Sequence, residues 1–269
     1  MLQNTLANTK STRLLNMCEK LPYTSLIKGD MPNWVRRYIK QVGKTINTFE
    51  MIKDGDTILL SVSGGKDSLA LALSLSLRRK WLPIKYNLKA IMINWIEHPI
   101  SDEAKAELKQ LFADLEIDFV IVDEPQYSIF FKGEFNCYLC SRNRRRILFD
   151  YATENKITLI ALGHHLDDLV ETTLMNTCFR GTFSTMKPIQ EFFSGELHII
   201  RPMIEVHEHV LSRLAEAYDL PVVKPVCPYD QSNIRSKLKP IISSLARIDK
   251  LTREHMFQAH DFPYRIPRS

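Results

Sequence analysis

The sequence predicts an α/β fold in which a parallel sheet is sandwiched by helices, with further helices at both ends. Two observations carry this reading. Short apolar runs rich in β-formers alternate with helical stretches, and a glycine pair breaks the first run as it passes into a helix. Residues 1–30 are polar and irregular, and Gly29-Asp30-Met31-Pro32 leads into a helix over 34–49. Along it Val35, Ile39, Val42 and Ile46 recur at three- and four-residue steps, while Arg36, Arg37, Lys40 and Lys44 take the other faces, which makes the helix amphipathic and basic. A turn at 53–56 precedes a strand over 57–63, and a Leu/Ala-rich helix starts at Asp67 or Ser68 and runs to Arg79. The alternation continues with a strand at 88–94, a helix at 101–115 capped by Ser101, and a strand at 118–122. A helix over 142–154, a strand over 158–163 and a helix over 166–178 follow. A last strand at 198–202, a helix at 205–218 and a helical, initially basic tail from 233 to 260 complete the chain.

This pattern divides the 269 residues into a leader with the basic helix (1–52), a central α/β unit (53–220) and a cysteine loop with the helical tail (221–269). Apolar residues make up 45% and charged residues 25%, which excludes collagenous and disordered classes. No apolar run reaches the ~18 residues of a membrane span, and the polar start has no signal-peptide core, so the expected compartment is the cytoplasm. Five cysteines in a reducing compartment read as metal-binding, redox or buried thiols before they read as disulfides.

Ser63-Gly64-Gly65-Lys66-Asp67-Ser68 joins the first strand to a helix. Its glycines allow backbone N–H groups to turn toward one anion, the helix N-terminus adds partial positive charge, Ser63 and Ser68 add hydroxyls and Lys66 a cation. This is a cradle for pyrophosphate, although neither the Walker A nor the dinucleotide spacing is present. The hexapeptide resembles the PP-loop of the ATP pyrophosphatase superfamily, adenine nucleotide alpha hydrolase-like enzymes that cleave ATP between the α- and β-phosphates to form an adenylate. The resemblance implies that Ser63, Gly64, Gly65, Lys66, Asp67 and Ser68 bind ATP.

Cys137-Tyr138-Leu139-Cys140 is followed at once by Ser141-Arg142-Asn143-Arg144-Arg145-Arg146. Cys227 lies in a proline-bounded loop, where a side chain can be aimed, whereas Cys178 sits in an apolar helix and Cys18 in the leader. Three thiolates suit a [4Fe-4S] cluster with one open iron. A zinc site completed by histidine, a redox pair and incidental cysteines are the other readings. Gly163-His164-His165-Leu166-Asp167-Asp168 is a second strand-to-helix turn, where carboxylates can hold Mg²⁺ against phosphates or cap the following helix.

The cysteine segment, Ala161 to Asp168, and Ile200-Arg201-Pro202 together resemble successive motifs of the TtcA family of tRNA 2-thiocytidine synthetases. That resemblance implies a [4Fe-4S] cluster on Cys137, Cys140 and Cys227, and nucleotide or substrate contacts from Gly163, His164 and Asp168. Lys66, Asp67 and Asp168 form the expected catalytic set. It further implies ATP and Mg²⁺ as cofactors, tRNA as substrate, a sulfur donor such as a cysteine desulfurase, and a possible homodimer. Related 2-thiouridine synthetases carry extra cysteine pairs that this sequence does not have. Arg142, Arg144 and Arg145, beside the expected cluster, are the candidate tRNA-phosphate contacts.

Overall fold

The computed structural model describes residues 20–81, 83–127, 136–223 and 234–262. After the single turn α1 (Thr24–Ile27), α2 (Asn33–Thr48) buries Val35, Ile39, Val42 and Ile46 as their spacing predicts, and Tyr38 with them. Strand β1 (Thr57–Val62) leads into α3 (Lys66–Arg79), which is buried from Ser68 to Arg78. β2 (Asn87–Trp95), α4 (Asp102–Asp114) and β3 (Asp118–Glu124) follow, with Ser101 capping α4 by accepting from the Ala104 amide. The chain then forms α5 (Cys137–Glu154), β4 (Leu159–Ala161), α6 (Leu166–Arg180), β5 (Ile189–Phe192) and β6 (Leu197–Ile200). Helices α7 (Glu208–Ala217), α8 (Ile234–Ile248) and α9 (Thr252–Gln258) complete it.

The strands lie in the order β3-β2-β1-β4-β6-β5, parallel throughout except for β5. Successive side chains of a strand point to opposite faces, and the core divides accordingly. Ile58, Leu60 and Val62 join an apolar cluster with α2, α3, α4 and α6, whereas Leu59 joins Ile91, Ile93 and Trp95 beneath Ile147, Leu148 and Ala152 of α5. Leu60 of β1 sits between Ala90 of β2 and Ala161 of β4. From β1 the chain proceeds to β2 and β3, then returns to β4 on the other side of β1. The carboxyl ends of β1 and β4 therefore flank a topological switch point, the place where open α/β sheets bind ligands.

Three elements differ from the sequence reading. α5 begins at Cys137 rather than 142, because the Asn136 side chain accepts from the Leu139 amide and caps the helix ahead of the cysteines. β5 is an antiparallel edge strand that the sequence did not signal: Ile189-Gln190-Glu191-Phe192 is short, and none of its residues is fully buried. The tail is two helices, α8 and α9, separated by a turn at 249–251.

Candidate active site

The two predicted turns meet at the switch point. Gly64 has φ +81°, and its carbonyl accepts from the Val223 amide at 2.9 Å. A side chain there would also crowd the Val223 carbonyl oxygen, 3.1 Å from the place of its Cβ. Ser68 Oγ ties the loop together: it accepts from the Ser63 amide at 3.2 Å and donates to the Gly65 carbonyl at 2.9 Å. Gly65 is the N-cap of α3 and supplies no side-chain acceptor, so the helix N-terminus keeps amides for an anion. Gly163, at the end of the β4 run, packs directly on this helix turn. A Cβ on it would lie 3.0 Å from both Asp67 C and Ser68 N, so only glycine lets the two loops approach this closely.

Together they border a cleft of about 310 Å³. Ser63, Asp67 and Ser68 line it from the first turn, Gly163, His164 and Asp168 from the second, and Ser141, Arg144 and Arg145 from α5. Ser141, which directly follows Cys140 in the chain, lines the cleft, whereas Cys137 and Cys140 themselves do not. Cys137 and Cys140 occupy the first turn of α5 three residues apart, which places them on one face of the helix. Cys140 Sγ accepts from Gln126 Nε2 at 3.3 Å. Cys227 and Cys18 lie outside the described residues, and Cys178, which its apolar helix predicts to be a packed core thiol, is instead exposed near the end of α6.

The charges of the site are mostly paired. Lys66 Nζ lies 3.2 Å from Asp67 Oδ1 and 3.1 Å from Glu208 Oε1, and Lys239 reaches the same Glu208 carboxylate at 3.1 Å. Burial alone would raise the Glu208 pKa, but hydrogen bonds from Lys66 and Lys239 outweigh it and hold the group down at about 2. Burial likewise opposes the Lys66 charge, yet Asp67 and Glu208 raise its pKa above the ordinary lysine value. Burial pushes Asp67 upward against the pull of His165 and Lys66. The lysine's hydrogen bond goes to Asp67 Oδ2, leaving Oδ1 shut from water without one. A buried carboxylate oxygen without a hydrogen bond, in a cleft shared with Asp168, suits a hard oxygen-seeking cation such as Mg²⁺.

The second turn is a capping box. His165 is the N-cap of α6, its Nδ1 accepting from the Asp168 amide while Asp168 Oδ2 accepts from the His165 amide at 3.1 Å. Asp168 thus helps to cap the helix and still faces the cleft, whereas Asp167 turns away. Asp167 accepts from Arg253 Nε at 2.5 Å and from the Glu208 amide at 2.7 Å, anchoring α9 and α7 to α6. His164 Nδ1 accepts from Arg201 Nε at 3.3 Å, so its ring proton belongs on Nε2. Burial and the Arg201 charge push His164 down to about 4 and keep it neutral. Arg201 is itself buried and fixed, donating to the Lys187 carbonyl and to Gln190 Oε1.

The four arginines diverge. Arg144 and Arg145 line the cleft, Arg144 lying 5.8 Å from the Trp95 ring centroid. Arg142 is exposed, and Arg146 pairs with Asp150 at 3.1 Å. Glu171 and Glu208 carry no signal in the sequence, and Lys239 stands out there only as part of the basic tail. Buried Glu171, one turn beyond Asp168 on α6, lies 3.9 Å from Lys239 and is pushed up to about 7 by burial. Among the described residues no group of three or more histidine, cysteine or acidic side chains is placed to hold a metal ion, and no helix is long and apolar enough to cross a membrane. Cys137 and Cys140 fit two thiolate ligands of an iron-sulfur cluster, on a helical turn with an amide N–H directed at one sulfur.

Known proteins resemble this chain in sequence and fold. A family model described as the PP-loop domain matches residues 35–241. The tRNA-cytidine(32) 2-sulfurtransferase of Hahella chejuensis is 31% identical over 84% of this chain and 81% of its own. That of Syntrophotalea carbinolica is 36% identical over 78% of this chain and 83% of its own. Among solved structures, the U34-tRNA thiolase NcsA from Methanococcus maripaludis with its [4Fe-4S] cluster superposes with a TM-score of 0.69 at 25% identity, over 84% of this chain and 77% of that one. Since the matches extend across both turns and the cysteine segment, the chain belongs to the PP-loop family and, within it, to the family of the tRNA-cytidine(32) 2-sulfurtransferases.

Proposed function

We propose that the protein is an ATP-dependent tRNA thiolase that adenylates the C2 carbonyl oxygen of cytidine 32 and replaces that oxygen by sulfur, forming 2-thiocytidine. The observation that carries this reading is the single cleft. It brings the anion-binding turn, a neutral histidine and two arginines of the cysteine-bearing helix into one space.

In this account the ATP phosphates lie against the uncapped N-terminus of α3, within reach of Ser63, Ser68 and the Gly64–Gly65 amides. Lys66 moves from Glu208 to the phosphates, and Asp67 with Asp168 would hold Mg²⁺, which would neutralise phosphate charge there. The cytidine O2 attacks the α-phosphorus and pyrophosphate leaves, turning a poor leaving group into AMP. Charge neutralisation and positioning, rather than proton transfer, are the protein's work in this step. His164 donates through Nε2–H into the cleft without adding charge. Arg144 and Arg145 meet the anticodon-loop phosphates as they approach, with Arg142 farther out. Cys137, Cys140 and Cys227 would hold the [4Fe-4S] cluster, which when bound supplies an open iron for sulfur delivery. Sulfide then attacks C2 as HS⁻, its proton leaves and AMP departs. A sulfur donor such as a cysteine desulfurase, a cytoplasmic setting and a homodimer complete the proposal.

A uridine-directed reaction is the second reading, favoured by the likeness to the U34-tRNA thiolase. The test is a reconstitution under anaerobic conditions with iron, sulfide, ATP and unmodified tRNA. The proposal expects tRNA-dependent release of AMP and pyrophosphate with one thiolated cytidine per AMP. ATP turnover that ignores tRNA, or thiolation of uridine, would overturn it.

A further inference from the structure

Gln126 lies just beyond β3 and is 1% exposed, yet it carries a full side-chain amide into the interior. Three contacts fix it. Its backbone N–H donates to the Glu97 carboxylate at 2.9 and 3.1 Å, and its carbonyl accepts from Asn143 Nδ2 at 2.7 Å. Its Nε2 donates to Cys140 Sγ at 3.3 Å, while Oε1 is buried without a hydrogen bond. Burying such an amide with one group unmet opposes folding, so an apolar residue would serve packing better. A neutral thiol is a poor acceptor for that N–H, whereas a thiolate accepts it well.

We infer that Gln126 is a positioning residue for the iron-sulfur cluster, its amide holding the Cys140 thiolate in its ligating orientation. Glu97 and Asn143 aim it: one comes from the loop after β2, and the other lies one helical turn beyond Cys140 on α5. The bracket therefore locks the cysteine turn to the edge of the sheet. An N–H directed at a ligating sulfur spreads the ligand's negative charge and favours the reduced, more negative cluster. This inference rests on the cluster reading of the proposed function.

The experiment compares wild type with Gln126→Leu and Gln126→Glu after anaerobic reconstitution with iron and sulfide. It reads the rate of cluster loss to a chelator and the cluster's midpoint potential. The expected result is a loss about 10–100-fold faster in both variants, because the N–H that holds the ligating sulfur is gone, with a midpoint shifted to lower potential and furthest in Gln126→Glu. Unchanged loss rates and potentials in loaded variants would overturn the inference, as would a lowered melting temperature with the potential unmoved. Should Gln126→Leu fail to fold, Gln126→Glu decides, since it keeps shape and volume. A wild-type protein that takes up no cluster would overturn the cluster reading and this inference together, an outcome distinct from a loaded wild type with indifferent variants.

Discussion

Gly163→Ala isolates the contact that makes one cleft of two turns. Gly163 is not in the left-handed region, so alanine can adopt its backbone and the substitution reads close approach alone. The new Cβ would lie 3.0 Å from Asp67 C and Ser68 N and 3.1 Å from Asp67 O. Carbon contacts settle at about 3.5–4.0 Å, so the turns must part by roughly 0.5–1 Å. All three neighbours are backbone atoms of the first turn of α3, and no rotamer change can relieve them. Overpacking of this kind costs about 1–3 kcal/mol, and at about 2–4 °C per kcal/mol the melting temperature should fall by several degrees. Activity should suffer more, because a displacement near 1 Å between reacting groups costs on the order of 100-fold. The assay is tRNA-dependent AMP release beside a melting curve, with a rate about 10–100-fold lower expected from a folded protein. Full activity in Gly163→Ala, whatever its melting temperature, would refute the argument that this approach positions the phosphate turn.

Lys66→Ala should lower AMP release by at least about tenfold, since it removes a charge-assisted contact to the phosphates; a wild-type rate of pyrophosphate release would reject that role. Cys137→Ala, Cys140→Ala and Cys227→Ala should each abolish thiolation in nucleoside digests while Cys178→Ala leaves it intact, and thiolation surviving any of the first three would remove that residue from the ligand set. Neutralising Arg144 and Arg145 should weaken tRNA binding and flatten its log-log salt dependence by nearly one unit for each contact; an unchanged slope with a lowered melting temperature would mark them as structural. Glu171→Gln tests the buried acid. A carboxyl raised from 4.5 to about 7 in the folded protein penalises folding once the unfolded form ionises, so wild-type stability is lost as pH rises from about 4.5 through about 7. The variant should match wild type near pH 4 and melt higher above pH 7, and a gap that stays constant with pH would contradict this.

The parts of this architecture readable from sequence are those set by neighbours along the chain. Val35, Ile39, Val42 and Ile46 announce a helix by spacing, and Gly64-Gly65 announces a turn by composition. The cysteine turn was read as preceding its helix because Cys137 to Ser141 carry no helical periodicity; the signal was Asn136, a strong N-cap residue. Asp168 was read both as a possible cap and as a ligand, and the capping box shows that it caps while still facing the cleft. What stayed hidden is nonlocal. Glu208 meets Lys66 across 142 positions, Arg253 meets Asp167 across 86, and Gln126 meets Cys140 across 14. No periodicity or motif encodes such meetings; they follow from the topology that closes the site.

The central claim is that this cleft makes 2-thiocytidine in tRNA. Its most direct test is nucleoside analysis of tRNA from cells with the gene deleted and then restored. The account predicts that 2-thiocytidine at position 32 disappears on deletion, returns with the wild-type protein and does not return with Lys66→Ala. An unchanged 2-thiocytidine content, or loss of a thiolated uridine or of lysidine in its place, would contradict it.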